Sequence, residues 1–290
     1  MASPCPVPLV GDSAAFAAAL RTLINNPEFS DVTFLVGKKQ QKVFAHRCLL
    51  SSRCQALRVM LSQPQEIEAP LVLRHVQPEV FLAVIEYIYT NSVTLNNLIA
   101  LEVLTSSMEY GLGDLRKLCI EFIKDTLSVE QVCEAFQAAV AYELVDLQRH
   151  CLAFIENSTQ EVVQTRGFLE LSELAMQAIL QSDRLAIDEV KLIGAVREWA
   201  HVGSAVLDRS VCDVAGAVVR DLRLALLSPN ELTALEEENK KDGMIPVESL
   251  AEAWKMHALW KRRAMQPSLC RRRRGTLPRE HHRHLPSKHK

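Results

Sequence analysis

The stretch "VFAHRCLLSSRC", residues 43 to 54, sets His46 two residues before Cys48 and eight before Cys54. These side chains bind zinc when four of them converge on one tetrahedron. Such sites show ligands paired two to four residues apart, answered by a second pair further along the chain. The other cysteines, Cys5, Cys119, Cys133, Cys151, Cys212 and Cys270, stand singly, and the body of the chain supplies no second pair. Lone cysteines at apolar helix positions behave as small buried hydrophobes, so the expectation is no metal, no cofactor, and reduced thiols. Catalytic signatures are equally thin. No G-x-S-x-G elbow, phosphate-binding G-x(4)-G-K-[ST] loop or dinucleotide G-x-G-x-x-G occurs, and "EEE" at 236–238 reads as a solvated helix face. The chain reads as an interaction protein and not an enzyme.

The elements that would position these residues fall into two groups. "DVTFLV", 31–36, alternates Val32, Phe34 and Val36; "KVFA" follows the polar "GKKQQ", and "APLVLRHV" at 69–76 offers a third strand. Everything later reads helical. Apolar residues recur at three- and four-residue steps in 78–89, 96–109, 111–125, 129–141, 143–156, 168–181, 187–201 and 208–227. Strands followed by a run of helices predict an α+β domain continuing into an all-α one. An internal repeat supports the split: "YGLGDLRKLCIEFI" at 110–123 aligns without gaps to "YELVDLQRHCLAFI" at 142–155. Repeats of this period are helix pairs that bury one face, which puts Cys119 and Cys151 in the core and Asp114 and Asp146 near helix starts.

Charge is unevenly spread. Residues 261–290 hold eleven Lys or Arg against Glu280 alone, a net of +10 that leaves −12 on the first 260 residues of a chain of net charge −2. The end carries Arg271, Arg272, Arg273 and Arg274 in a row and "HHRH" at 281–284, with little apolar periodicity. Residues 264–290 therefore read as a disordered basic tail, able to attract nucleic acid weakly, to serve as an import signal, or only to keep the chain soluble. The first basic residue is Arg21, and "AAFAAAL" at 14–20 is too short for a signal segment. No apolar run approaches the ~18 residues that span a bilayer. The expected location is cytoplasmic and/or nuclear, with no membrane partner.

At this point the residues resemble a known family. "SDVTFLVGKKQQKVFAHRCLLSSRCQALRVML" is similar to the start of a BTB (POZ) domain, with its F-x-A-H-[RK]-x-x-L pattern, and "VFLAVIEYIYTNSV" resembles a later motif, with Asn91 where glycine is usual. "LRLALLSPNEL" at 222–232 and "EAWKMHALWKRR" at 252–263 resemble closing segments of the BACK domain of Kelch-like proteins. The resemblance implies a BTB/POZ domain at 8–126, a three-box and BACK helical domain at 127–263, and no Kelch propeller.

It also implies roles. His46 becomes a structural residue at a strand-to-helix junction. Phe16, Leu20 and Leu23, an i, i+4, i+7 stripe, fall on the helix that packs across a two-fold axis in BTB homodimers. Asp31 and Arg47 occupy the positions of a charged pocket used by corepressor-binding relatives; the alternative is that they pair or cap local structure. The resemblance further implies adaptor activity in a cullin-3 RING ubiquitin ligase, acting on a substrate protein not identified, with Met60, Leu61, Glu66 and Tyr110 as cullin contacts by position. The loop "SQPQEIEAP" departs from that pattern by lacking a clean hydrophobic-x-Glu motif. A dimeric nuclear scaffold using the basic tail is the second reading.

Overall fold

Val32, Phe34 and Val36 point to one side of a strand, and burying that side is what turns the alternation into structure. The structure, a computed structural model, describes residues 11–62, 70–259 and 269–284. It divides into two compact units, with the boundary after Thr126.

In the first unit, α1 (Ser13–Arg21) precedes β1 (Val32–Val36) and β2 (Gln41–Ala45). α2 (Arg47–Arg53), α3 (Gln55–Ser62), β3 (Leu71–Leu73), α4 (Pro78–Thr90), α5 (Ala100–Glu109) and α6 (Gly113–Thr126) follow. The sheet runs β2-β1-β3: β2 is antiparallel to β1 with Phe34 opposite Val43, and β3 is parallel to it with Phe34 opposite Leu71. The third strand is shorter than 69–76 promised, only three residues among those described. Gly37 closes the β1 end at φ +75°, where a side chain would also press on Pro78 Cδ at 3.2 Å. α4 is the centre of this unit. Pro78 starts it, Val80, Phe81, Val84, Ile85 and Ile88 are buried, and the Phe81 ring meets Phe34 edge-on at 4.9 Å between centroids. Asn91 ends it in the left-handed conformation at φ 57°, which explains how asparagine can replace the usual glycine.

In the second unit α7 (Val132–Ala141) and α8 (Val145–Asn157) pair, burying Cys133, Phe136 and Ala139 on one helix and Leu147, Cys151 and Ile155 on the other. In the first unit α5 and α6 form the equivalent pair, with Leu115, Cys119 and Ile123 buried. α9 (Thr159–Val162), α10 (Arg166–Leu169), α11 (Glu173–Leu180), α12 (Glu189–Leu207), α13 (Val211–Ala215), α14 (Pro229–Asp242) and α15 (Val247–Leu259) complete the described helices.

Two expected helices break. Residues 168–181 divide into α10 and α11 because the Thr165 and Ser172 side chains accept from Phe168 N and Ala175 N, each starting a helix of its own. In 208–227, Asp208 turns left-handed at φ 52° and ends α12, Ser210 caps the short α13, and Val218–Asp221 and Leu224–Leu226 form single 3₁₀ turns. There the apolar residues Leu222, Leu224, Leu226 and Leu227 are all buried, so apolar spacing alone could not show that the backbone had left the helix. α14 starts with a capping box, Ser228 with Glu231, a signal present in "SPNE".

Candidate interaction site

α1 has the composition of a docking helix. Asp12 caps it through Ala14 N at 2.8 Å, and none of its residues is buried. Phe16 is 67% exposed and Leu20 half-buried, while Leu23, expected on the same helix, is half-buried in the turn that follows it, since α1 ends at Arg21. The helix packs on α4, held there by Arg21, whose guanidinium pairs with the Glu86 carboxylate and reaches Ser92 Oγ at 3.1 Å. Glu86 also accepts from Thr94 N at 3.0 Å and Thr94 Oγ1 at 2.9 Å, so a carboxylate in the most buried helix of the unit is fully served.

Asp31 and Arg47 are brought together at the β2-to-α2 junction. The Asp31 carboxylate accepts the Arg47 backbone N–H at 2.7 Å, and Arg47 Nε donates to the Asp31 carbonyl at 3.2 Å. Arg47 Nη1 donates to the Leu61 carbonyl at 3.0 Å, occupying an acceptor in the last turn of α3. The two residues act as a clip between β1, α2 and α3. Next to them His46 is buried: its N–H donates to Tyr89 Oη at 2.9 Å, and its Nδ1 lies 3.0 Å from the same oxygen. The Tyr89 hydroxyl thus accepts the His46 backbone N–H and meets the ring at Nδ1. Burial pushes the Tyr89 phenol up to about 12, against the His46 N–H that lowers it. Cys48 is exposed and Cys54 buried, its thiol 3.4 Å from the Tyr110 carbonyl. Burial pushes the Cys119 thiol up to about 12 and that of Cys133 to about 11, the reverse of what a nucleophile or metal ligand requires.

The positions carried over for cullin contact do not form one surface. Leu61 and Tyr110 are buried among the apolar side chains of the first unit, and Met60 is half-buried. The face of α3 that carries Leu57 and Leu61 is the one turned inward, and Tyr110 lies at the end of α5. Glu66 lies outside the described residues.

The largest correction concerns the tail. Of residues 264–290, read as disordered, 269–284 are folded onto the second unit, and 264–268 and 285–290 lie outside the described residues. Arg273 is fully buried against an equally buried Glu189, Nη1 to Oε2 2.5 Å, and also donates to the carbonyls of Leu180, of Asp221 at 3.1 Å and of Ser182 at 3.3 Å. Burial lowers the Arg273 guanidinium from its ordinary value, and the Glu189 carboxylate counters only part of that. Arg279 makes a fork to Asp188 at 2.8 and 3.0 Å and to Glu231 at 2.6 and 2.9 Å. Burial alone would raise both carboxyls, but Arg279 holds Asp188 and Glu231 below their ordinary values. Arg271 reaches Asp183 at 3.4 Å, and Arg274 bonds Asn157 Oδ1 at 3.1 Å and the Glu156 carbonyl. The backbone joins in, Arg274 N to Asp183 O and Gly275 N to Leu185 O, both at 2.9 Å. His281 and His282 are buried, their Nε2 atoms 3.2 and 2.9 Å from the carbonyls of Ala225 and Leu226, with the His257 ring of α15 tilted at 60° to that of His281, centroids 4.5 Å apart.

Arginines expected to be free for polyanions are thus largely spent on this chain's own carboxylates and carbonyls. Sequence reasoning missed Asp183, Asp188, Glu189, Glu231 and Arg279. The local trace of the site was the acidic pair Asp188-Glu189 opening α12; nothing local tied it to residues more than eighty positions away.

Among the described residues no group of three His, Cys, Asp or Glu is placed to hold a metal ion, and no helix is long and apolar enough to cross a membrane. Residues 20–127 match the BTB/POZ domain, and residues 132–237 match the domain described as BTB And C-terminal Kelch, the BACK domain. The chain is 56% identical over 277 residues to BTB/POZ domain-containing protein 19 of Bos taurus and 54% identical to that of Homo sapiens, covering 95% of each chain in both comparisons. It is 30% identical over 245 residues to BTB/POZ domain-containing protein 9 of Homo sapiens, which spans 81% of this chain and 38% of that one. With an antiparallel hairpin, a parallel third strand and a central buried helix followed by paired helices, the chain belongs to the BTB/POZ domain-containing proteins and carries a BTB/POZ domain followed by a BACK domain.

Proposed function

We propose that this protein is a homodimeric interaction module that serves as a substrate adaptor of a cullin-3 RING ubiquitin ligase, in the cytoplasm and/or nucleus. The observation that carries the dimer is the apolar, uncovered face of α1: a phenylalanine 67% exposed on a helix without one buried residue is a surface that association would cover. The order of a BTB/POZ domain before a BACK domain supports the adaptor role. Met60 on α3 and the α7–α8 pair are the elements that would meet the cullin, and the second unit is left to select the substrate. No catalytic constellation is needed for this work, since the ligase chemistry belongs to other subunits.

The test is direct. Full-length protein titrated with the cullin-3 N-terminal domain should bind with Kd of about 10 µM or tighter. Met60→Asp should abolish binding while the melting profile is kept. Absence of binding by the unaltered protein at that concentration refutes the adaptor reading, and leaves dimerisation to be judged by light scattering alone.

A further inference from the structure

The second unit presents acceptors that make sense only with an arginine-bearing segment in place. Glu189 is fully buried, one carboxylate oxygen accepting from Arg223 N at 2.7 Å and the other from Arg273 Nη1 at 2.5 Å. The carbonyls of Leu180, Ser182 and Asp221 converge on that same guanidinium. Six residues on, Asp188 and Glu231 present four oxygens to the planar fork of Arg279. Between the two anchors the segment turns at Arg274-Gly275, with Thr276 N donating to the Arg273 carbonyl at 3.1 Å; Arg274 N and Gly275 N donate to main-chain carbonyls of the unit, and Leu277 N donates to Asp188 Oδ1 at 2.8 Å. Gly275 is required by close approach, since a Cβ there would fall 2.0 Å from Ile187 N.

We propose that this groove is a peptide-recognition site whose ligand is the chain's own C-terminal segment, residues 269–284, read by two arginines six residues apart with a glycine between them. Recognition is non-covalent and exchangeable: the segment binds by its own contacts, and the chain connecting it to α15 only raises its local concentration. Arginine is specified over lysine because a single ammonium cannot serve a carboxylate and three carbonyls in one plane, or fork onto two carboxylates at once. This reading does not depend on the cullin proposal.

The experiment uses the full chain with a protease site inserted after Met265, cleaved after purification. The fragment from Gln266 to Lys290 should remain bound on size exclusion at micromolar concentration, and a fluorescent peptide of the same sequence should exchange into the site, read by anisotropy. In that exchange assay, peptide carrying Arg273→Ala should bind at least ~30-fold more weakly, the usual minimum for removing one partner of a buried charge pair. Peptide carrying Arg273→Lys should also bind weakly, whereas Arg272→Ala, at an exposed position, should bind as the native peptide does. Placing the changes in the peptide leaves the body unaltered, so a failure of the variant chain to fold does not enter. Release of the native fragment on cleavage, unfolding of the cleaved body, or equal binding by native and Arg273→Ala peptides would each overturn the proposal.

Discussion

Arg273 and Glu189 face each other with Nη1 to Oε2 at 2.5 Å, both side chains wholly withdrawn from solvent and 84 residues apart in the chain. Such a pair is not in itself a source of net stability, because taking both charges out of water costs about as much as their attraction returns. Breaking it is another matter.

Arg273→Ala in the intact chain should destabilise the second unit by about 3–5 kcal/mol, because Glu189 is left as a buried charge. Replacing both residues with apolar ones, Arg273→Met with Glu189→Leu, should recover a large part of that loss. Urea unfolding of the single and double variants checks the prediction, and strict additivity would show that the two residues do not act as a pair.

Acid should loosen the C-terminal segment. Burial, the neighbouring rings of His257 and His282, and the Arg279 charge bring His281 down to about 4 from 6.5, and burial likewise lowers His282. With the folded values depressed, the unfolded chain takes up protons first, so stability is intact above pH 6.5 and falls as pH drops toward about 4. Asp188 and Glu231, also held low, add a loss of the same sign once pH enters the carboxylate range. Thermal melts at stepped pH should show the decline, and His281→Phe should flatten its upper portion.

Phe16→Asp with Leu20→Asp should convert a homodimer to monomer in light scattering at tens of micromolar, since a charge in an apolar interface is strongly unfavourable. The far-ultraviolet circular dichroism should hold, because no residue of α1 is buried in the monomer. An unaltered protein that is monomeric under those conditions removes the dimer.

Tyr89→Phe should cost about 1–3 kcal/mol by stranding the His46 N–H and the ring Nδ1 in the core. A denaturation midpoint unchanged from the native protein would mean that water reaches the junction.

Asp31→Ala should lose about 0.5–2 kcal/mol, the value of a helix cap, while Asp31→Asn keeps the acceptor and most of the stability. If Asn proved as damaging as Ala, the charge of Asp31, and not its hydrogen bond, would be what matters.

Much of the first unit was legible in advance, for physical reasons. Val32, Phe34 and Val36 alternate because a half-buried strand must alternate, and the α4 pattern repeats because one face of a helix must be covered. The repeat of Cys119 and Cys151 announced two helices with the same packed face, and both thiols are fully buried. The missing second ligand pair argued against a metal at His46, and the resemblance to the BTB family implied its place in the core, although Tyr89, the residue that holds it, carried no local mark. Where a side chain captures its own backbone, as Thr165, Ser172 and Ser210 do, apolar spacing ran on through a helix end. Leu61 and Tyr110, offered as cullin contacts by position alone, are buried, and position in a motif does not state exposure.

The sequence by itself determined the order of α+β and all-α parts, the strand faces, the helix pairs and the family, since periodicity and capping act over a few residues and are written locally. Only the tertiary structure decided the fate of the C-terminal arginines. Composition made them a solvated charge run, because an arginine buries at acceptable cost only when matching acceptors are already in place. Glu189, Asp188 and Glu231 supply those acceptors from helices folded far away in sequence, and a local pattern cannot contain a partner that only the fold brings near.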